Sequence, residues 1–442
     1  MDPRREQETD ALLAPVARWT PRFIVFVAAL GAIVAWGAYA YSVQLQQGLV
    51  VTGMRDTVSW GLYISNFVFF IGISHVGALM SAILRLTKAE WRRPVTRMAE
   101  AITVCSLFVA ASMPIIDLGR PDRLLNVILY GRIQSAVLWD FLSISTYLVG
   151  SLLFFYLFLI PDLATLRDRL TAVGRMRRWL YRKLSLGWTG APEQRRRLGR
   201  SIGILTILIL PIAISVHTVV SWIFAMTLRV GWNSTIFGPY FVAGALFSGV
   251  ASVLMAMALF THFYKLERWI TPLHFRNLAY LLLLLDIVYI YFTLNEYLTV
   301  SYKSEGTEAA LLASLYGGPF SGIFWTIQLG GLVIPAFLLA FRRTRTTLGI
   351  VVAATLVNAT MWLKRYLIVV STLATPQMPV GWGSYWPTWV EWSITGGAFA
   401  GFVLLFALLS RLVPIVSVWE TQEAREPPEG AAEELPAAEA GA

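Results

Sequence analysis

The sequence predicts an all-α polytopic membrane protein with about ten transmembrane helices. Hydrophobic residues make up 57% of the 442 positions, and only 14% are Asp, Glu, Lys or Arg; a typical soluble domain has about 25% charged residues. A soluble fold cannot bury that much apolar surface, whereas lipid solvates it. The long apolar segments also lack the alternating pattern of short barrel strands.

Each of these segments is close to the roughly 20 residues that a helix needs to cross the hydrocarbon core. They lie at 22–42, 58–84, 98–117, 136–160, 201–228, 237–264, 278–300, 318–341, 346–373 and 390–416.

The basic residues predict the orientation of the chain. With the N-terminus inside, the cytoplasmic loops and termini hold about 28 of the 36 Lys and Arg, and the outer loops hold about six. We therefore expect a multi-pass membrane protein with both termini cytoplasmic. The net charge of +10 then indicates contact with the lipid bilayer and not with nucleic acid.

A short motif recurs with unchanged orientation. Gly61-Leu62-Tyr63 is followed by Gly72 in the second span, and Gly238-Pro239-Tyr240 is followed by Gly249 in the sixth. A parallel repeat of this kind predicts two four-helix bundles, spans two to five (58–228) and spans six to nine (237–373), with one flanking helix at each end. Chance recurrence of Gly and Tyr is the alternative.

Together these spans form one predicted transmembrane domain over residues 1–420. The remaining segment, 421–442, is rich in Glu, Ala and Pro. Such a composition predicts a disordered acidic tail on the cytoplasmic side.

Ionisable residues inside spans cost about 2.5–3.5 kcal/mol each on insertion scales, so each calls for a reason. His75 lies between two glycines, and Asp117 ends the third span just before Arg120. An imidazole and a carboxylate beside an arginine suit a bound molecule that exchanges protons and electrons, such as a quinol. The alternative is structural: His75 hydrogen-bonds a neighbouring helix, and Asp117 caps its helix or pairs with Arg120.

Further polar residues suggest either a proton path or hydrogen bonds between helices. Those in or near the spans are Asp140, His217, Asp286 and Glu296. On the outer side, Arg123, Trp232 and Trp386 are candidates for the docking of an extrinsic partner. Tryptophans at this depth are also common interface anchors.

Cofactor ligands are scarce in this sequence. The single cysteine, Cys105, cannot hold an iron–sulfur cluster, which needs about four thiolates, and no CxxCH motif is present for covalent haem. Only His75 and His217 could form a bis-histidine haem site, and a single candidate pair is weak evidence for haem binding. We expect no haem, iron–sulfur cluster or metal to be bound by this chain.

In its ordered sequence blocks the chain resembles the NrfD/PsrC family of quinone-interacting membrane subunits. The similarity is greatest to the ten-span branch typified by the ActC subunit of alternative complex III. The matching segments are Ser59–Phe67 with His75, Asp117–Pro121, Ser215–Trp222, Ser234–Phe237, Pro239–Gly244, Ile270–Leu278, Pro387–Thr395 and Ile415–Glu420.

The resemblance implies a respiratory subunit without a redox cofactor of its own. It would bind a quinone, commonly menaquinone, near the outer face. It would exchange electrons with an extrinsic iron–sulfur subunit of ferredoxin-like or molybdopterin type, beside a multihaem cytochrome and other membrane subunits. The family's quinone site maps onto His75 and Asp117 with Arg120 beside them, and proton movement onto His217, Asp286 and Glu296.

Two departures from the family pattern remove titratable groups. Ile223 stands where relatives often have Asp, and Asn233 where they often have His. A secondary transporter and a purely structural membrane anchor remain alternatives. Transporters, however, usually break their helices at the midplane, whereas the break at Pro121 lies at the outer edge.

Overall fold

The computed structural model describes residues 3–17, 19–170, 173–377 and 381–423, and within these ranges the regular elements are all helical. Ten helices are long and apolar enough to cross a membrane, which confirms the predicted fold class. They are α1 (Pro21–Gln47), α2 (Leu62–Leu86), α3 (Glu90–Asp117), α4 (Ala136–Arg169), α5 (Pro192–Ala225), α6 (Phe237–Tyr264), α7 (Pro272–Lys303), α8 (Ser321–Ala340), α9 (Thr347–Ala374) and α10 (Trp389–Leu412).

Shorter helices lie outside these spans. They include Pro3–Ala17, Arg175–Leu184, Gly306–Tyr316 and Val418–Glu423. The helix at Pro3–Ala17 was not expected from its polar sequence; Leu12, Leu13 and Val16 are buried. Of the predicted tail, residues 421–423 end the last helix, and 424–442 lie outside the described residues.

The second span is the most enclosed of the ten. Every residue from 65 to 82 in α2 is buried. In contrast, only 11% of the most apolar window of α1 is buried. A helix that is apolar on all sides belongs in the interior of a bundle, so α2 is the helix around which its neighbours pack.

Two glycines of the repeated motif lie where α2 meets α6. A Cβ added to Gly249 would come within 2.7 Å of the Val76 Cβ, and one added to Gly72 would lie 3.8 Å from the Ala245 Cα. Small residues allow this close approach between membrane helices. The first spans of the two proposed bundles are therefore in direct contact, and their parallel arrangement stays a prediction.

A buried ion pair joins α3 and α4 at the ends that are predicted to be cytoplasmic. Arg97 and Asp162 lie 3.0 Å apart with side chains 1% and 0% exposed. Asp162 also accepts hydrogen bonds from the backbone N–H groups of Val418, at 3.2 Å, and Trp419, at 3.0 Å. Asp162 lies just past the predicted span end at 160, and α4 continues to Arg169.

Replacing Asp162 by Asn should lower the free energy of unfolding by about 3–5 kcal/mol, since loss of one partner leaves a buried charge uncompensated. Thermal unfolding of the purified protein in detergent would measure the change. Glu193→Gln is the matched control, because its pair with Arg197 is exposed and should contribute little. Equal losses in the two variants would contradict the proposed importance of burial.

Single-cysteine labelling tests the predicted orientation. In a Cys105→Ser background, Ser304→Cys lies in the loop after α7 and Ala191→Cys lies just before α5; both positions are exposed. A membrane-impermeant maleimide should label the first from the periplasm, and the second only after the membrane is permeabilised. The reverse pattern would invert the topology.

Candidate functional site

Five polar side chains meet where the predicted outer ends of α1, α2 and α3 approach the start of α10 and the segment before it. We call them the outer polar cluster; its members are Gln44, Tyr63, Asp117, Tyr385 and Glu391. The Tyr63 hydroxyl donates to Gln44 Oε1 at 2.6 Å, and Gln44 Nε2 donates to the Ile116 carbonyl at 2.8 Å. Three helices are thus joined beside Asp117.

Asp117 is the member of this cluster with the least complete hydrogen bonding. Its side chain is half-buried, and Oδ1 has no hydrogen-bond partner among the described residues. Tyr63 and Glu391 lie within electrostatic range of the carboxylate. A buried carboxylate oxygen without a donor is costly, so Asp117 is suited to bind a ligand hydroxyl or a proton.

Glu391 has a mainly structural place in the same cluster. Its fully buried carboxylate accepts from the Gly53 N–H at 2.6 Å, the Thr388 N–H at 3.0 Å and the Tyr385 hydroxyl at 2.5 Å. Burial and the Glu391 carboxylate raise the pKa of Tyr385 well above its ordinary value. The Tyr385 hydroxyl therefore remains a donor over the whole working pH range.

The backbone after Asp117 turns sharply towards the outer surface. Gly119 has a φ of +65°, and a Cβ there would lie 2.8 Å from Leu49 Cγ, so both conformation and space favour glycine. Arg120 then pairs with Asp122, at 3.0 and 2.9 Å, and both side chains are exposed. This pairing lowers the pKa of Asp122. Arg120 is therefore bound to Asp122, and the alternative in which it pairs with Asp117 is wrong.

A second group of polar side chains lies near the middle of α2, where it packs against α5. The rings of His75 on α2 and His217 on α5 meet edge to face with centroids 4.6 Å apart, and Tyr147 stacks on His75 at 4.9 Å. Both histidines are fully buried. We call His75 and His217 the histidine pair.

The two histidines differ in their hydrogen bonds. His75 Nδ1 lies 2.6 Å from the Ile71 carbonyl oxygen and Nε2 lies 2.9 Å from that of Ala213. Neither ring nitrogen of His217 has a partner among the described residues, and the buried Arg365 lies within electrostatic range. His75 is thus held in place, whereas His217 retains free nitrogen atoms for proton exchange.

The structure does not bring the predicted trio together. Thr103 donates to the Ser74 carbonyl, so it marks the level of His75 on α3. Asp117 lies 117 − 103 = 14 residues further along α3, which is about 21 Å at 1.5 Å per residue. The expectation that His75, Asp117 and Arg120 form one site is therefore wrong. In the antiparallel pair α2 and α3, His75 and Asp117 lie at different depths.

The other candidates for a proton path lie apart. Asp286 is fully buried near the middle of α7, and neither of its oxygens has a partner among the described residues. Glu296, nearer the outer end of α7, accepts from the Ser234 hydroxyl at 2.6 Å. Asp140 is buried near the outer end of α4. No hydrogen bond among the described side chains joins these three residues.

The docking candidates also differ in exposure. Arg123 and Trp386 are exposed, the latter to 84%. Trp232 is only 3% exposed; its Nε1 donates to the Ile368 carbonyl at 2.8 Å, and its ring stacks on Trp60. Trp232 is therefore a packing residue, and its assignment to a docking surface is wrong.

Sequence reasoning did not find Gln44, Tyr63 and Tyr385 as members of a site. Each carries an uncharged side chain, and the search for candidates considered mainly ionisable residues, because charged groups are the most costly to place inside a span. Tyr63 was noticed only through the repeat. In the part of the chain that the structure describes, no group of three or more His, Cys, Asp and Glu side chains could hold a metal ion.

Within the described residues, ten candidate spans with polar groups at two depths define a polytopic membrane protein. Residues 50–377 match the family described as polysulphide reductase, NrfD. Since this match covers most of the protein, the chain belongs to the NrfD family.

Relatives of this chain are named as subunits of reductases and oxidoreductases. A putative membrane subunit of dimethyl sulfoxide reductase from Halobacterium salinarum is 35% identical over 54% of this chain; the chain spans about half of that relative, 51%. A selenate reductase subunit from Mesobacillus selenatarsenatis is 23% identical over 88% of this chain and 94% of its own length. The Hdr-like menaquinol oxidoreductase integral membrane subunit of Archaeoglobus fulgidus is 24% identical over 91% and 96%.

Replacing Tyr385 by Phe should destabilise the outer polar cluster. The change removes one donor to Glu391 and the acceptor for the Leu62 N–H, and leaving buried polar groups unpaired costs about 1–3 kcal/mol. Thermal unfolding in detergent would measure this. Tyr130→Phe is the control, because Tyr130 is 79% exposed; a loss of the same size there would contradict the prediction.

Proposed function

We propose that this chain is the quinone-reactive subunit of a multisubunit quinol oxidoreductase in a bacterial cytoplasmic membrane. It binds a quinol or quinone at the outer polar cluster. The observation that carries this proposal is the half-buried Asp117 carboxylate, whose Oδ1 has no donor, beside Tyr63 and Gln44. The relative named as a menaquinol oxidoreductase subunit supports menaquinone as the substrate class.

The chemistry requires an acceptor for protons and an exit for electrons. Oxidation of one quinol releases two electrons and two protons. The Asp117 carboxylate accepts protons from the ring hydroxyls and passes them towards the outer surface through its exposed side. Tyr63 and Gln44, which bond each other and the Ile116 carbonyl, hold α1, α2 and α3 in register beside this carboxylate. The reverse order of steps applies to quinone reduction.

Electrons pass singly to or from an extrinsic iron–sulfur subunit on the outer face. The exposed Arg123 and Trp386 lie on that side and are candidate contacts. A multihaem cytochrome and further membrane subunits, as in alternative complex III, are proposed on the resemblance alone.

We assign the histidine pair to proton transfer at a deeper level. Its rings are in contact, His217 has free nitrogens, and both lie about 21 Å from the level of Asp117. A single quinone ring cannot touch both groups. Asp140, Asp286 and Glu296 are further candidates for proton translocation through the bundle.

Replacing Asp117 by Asn should reduce quinol turnover by the intact complex at least tenfold, because removing a positioned proton acceptor costs about 10²–10⁴-fold in rate. Initial rates with a soluble menaquinol analogue, normalised to assembled complex, provide the measurement. Asp168→Asn is the control, since Asp168 is exposed at the cytoplasmic end of α4. Wild-type turnover in Asp117→Asn would overturn the proposed site.

Replacing His75 by Ala should abolish quinol-dependent activity and leave assembly of the complex intact. Because His75 is remote from Asp117, binding of a fluorescent alkyl-hydroxyquinoline N-oxide should persist in this variant and weaken in Asp117→Asn. Fluorescence titration separates the two effects. Unchanged turnover in His75→Ala would refute a role for His75, and lost binding there would instead place the ring at the histidine pair.

A further inference from the structure

A pocket lies in the second half of the protein, outside the outer polar cluster. It is formed by the outer parts of α6, α7 and α9 together with the short helix Gly306–Tyr316, and it opens to the protein surface. Its accessible interior measures about 50 Å³, so a substituted ring fits only if the apolar side chains of its wall move apart.

The polar part of this pocket contains a buried cation. Lys364 is 2% exposed, and its Nζ donates to the Tyr297 hydroxyl at 2.8 Å. The same Nζ lies 4.8 Å from the ring centroid of Tyr297 and 5.5 Å from that of Tyr240. An ammonium group has three donors, so Lys364 can still donate to a ligand oxygen.

An acceptor faces the same space. Glu296 lines the pocket and accepts from the Ser234 hydroxyl at 2.6 Å. A carboxylate has about four lone-pair sites, which leaves acceptor capacity for a ligand hydroxyl. Leucine side chains of the helix Gly306–Tyr316, namely Leu311, Leu312 and Leu315, supply an apolar wall.

This combination of groups favours a ligand without net charge. An anionic lipid head group would be repelled by the Glu296 carboxylate, and a cationic one by the Lys364 ammonium. An apolar ring that carries one oxygen as acceptor and one hydroxyl as donor satisfies both residues. Quinones and quinols have this chemistry.

The internal repeat connects this pocket with the outer polar cluster. Tyr240 occupies in the sixth span the place that Tyr63 occupies in the second. Glu296 lies near the outer end of the following span, as Asp117 does in the first half. Both places thus combine a tyrosine with a carboxylate; the second adds the ammonium group of Lys364.

We propose that the pocket around Glu296 and Lys364 is a second binding site for a quinone or quinol ring. The proposal rests on the proposed function, since it extends the same substrate class to the second half of the chain. It concerns binding, and it includes no electron-transfer step.

Photolabelling of the purified complex tests the proposal. A photoreactive azidonaphthoquinone would be bound, illuminated and located by peptide mapping, with excess unmodified naphthoquinone as competitor. We expect competable label in two regions, one around Asp117 and one within 306–316 or 361–375. Competable label around Asp117 alone would overturn the second site and leave the proposed function intact.

Variants give the test its specificity. Glu296→Gln and Lys364→Met should each lower the second label about tenfold, which corresponds to the loss of one charge-assisted hydrogen bond, and leave the first label unchanged. Leu312→Trp, which fills the pocket without removing a buried charge, should do the same. Lys303→Met is the matched control, because Lys303 is exposed at the end of α7.

The outcomes separate the two proposals. Asp117→Asn should remove the first label and spare the second. If Leu312→Trp assembles normally and the second label persists, the label lies outside this pocket and the inference is wrong. If the Asp117→Asn variant loses both labels and keeps its quinol turnover, labelling does not report the reactive site. That result would refute both the proposed function and the second site.

Discussion

The burial of α2 on all sides is the constraint on which the rest of the structure depends. A bilayer offers no partners to polar groups in its core, so the polar side chains of α2 bond either their own backbone, as Ser65 and Ser74 do, or another helix. Asn66 donates to Thr395 at 2.9 Å and accepts from the Trp362 Nε1 at 2.8 Å, which joins α2 to α9 and α10. Ser81 donates to the buried Glu100 on α3 at 3.0 Å.

Such enclosure requires close backbone approach. At Gly77, any side chain would overlap Thr103 and the Ala99 carbonyl of α3, and the Gly77 N–H donates to the Thr103 hydroxyl at 2.9 Å. Because apolar side chains gain little over lipid in a membrane, packing and interhelical hydrogen bonds supply the association energy. The glycines of α2 therefore determine the position of the helices that carry Asp117 and His217.

Helix α2 carries polar residues at two different depths. Tyr63 at its outer end belongs to the outer polar cluster, and His75 near its middle belongs to the histidine pair. A site near the outer surface suits electron exchange with an extrinsic partner. The histidine pair is fully buried beside the rings of Tyr147 and Phe241, and proton transfer is its proposed role. The division has a geometric cause, since residues of antiparallel helices meet only where their depths coincide.

The sequence by itself determined the fold class, the ten spans and most of the ionisable candidates. These properties follow from local composition, because lipid sets a minimum apolar length and a cost for each charge. Only the tertiary structure decided that Gln44 and Tyr63 stand beside Asp117, that His75 meets His217, that Arg120 binds Asp122, and that Trp232 is buried. Those contacts depend on the axial register and rotation of one helix against another, and that packing is a property of the assembled bundle which no single span encodes.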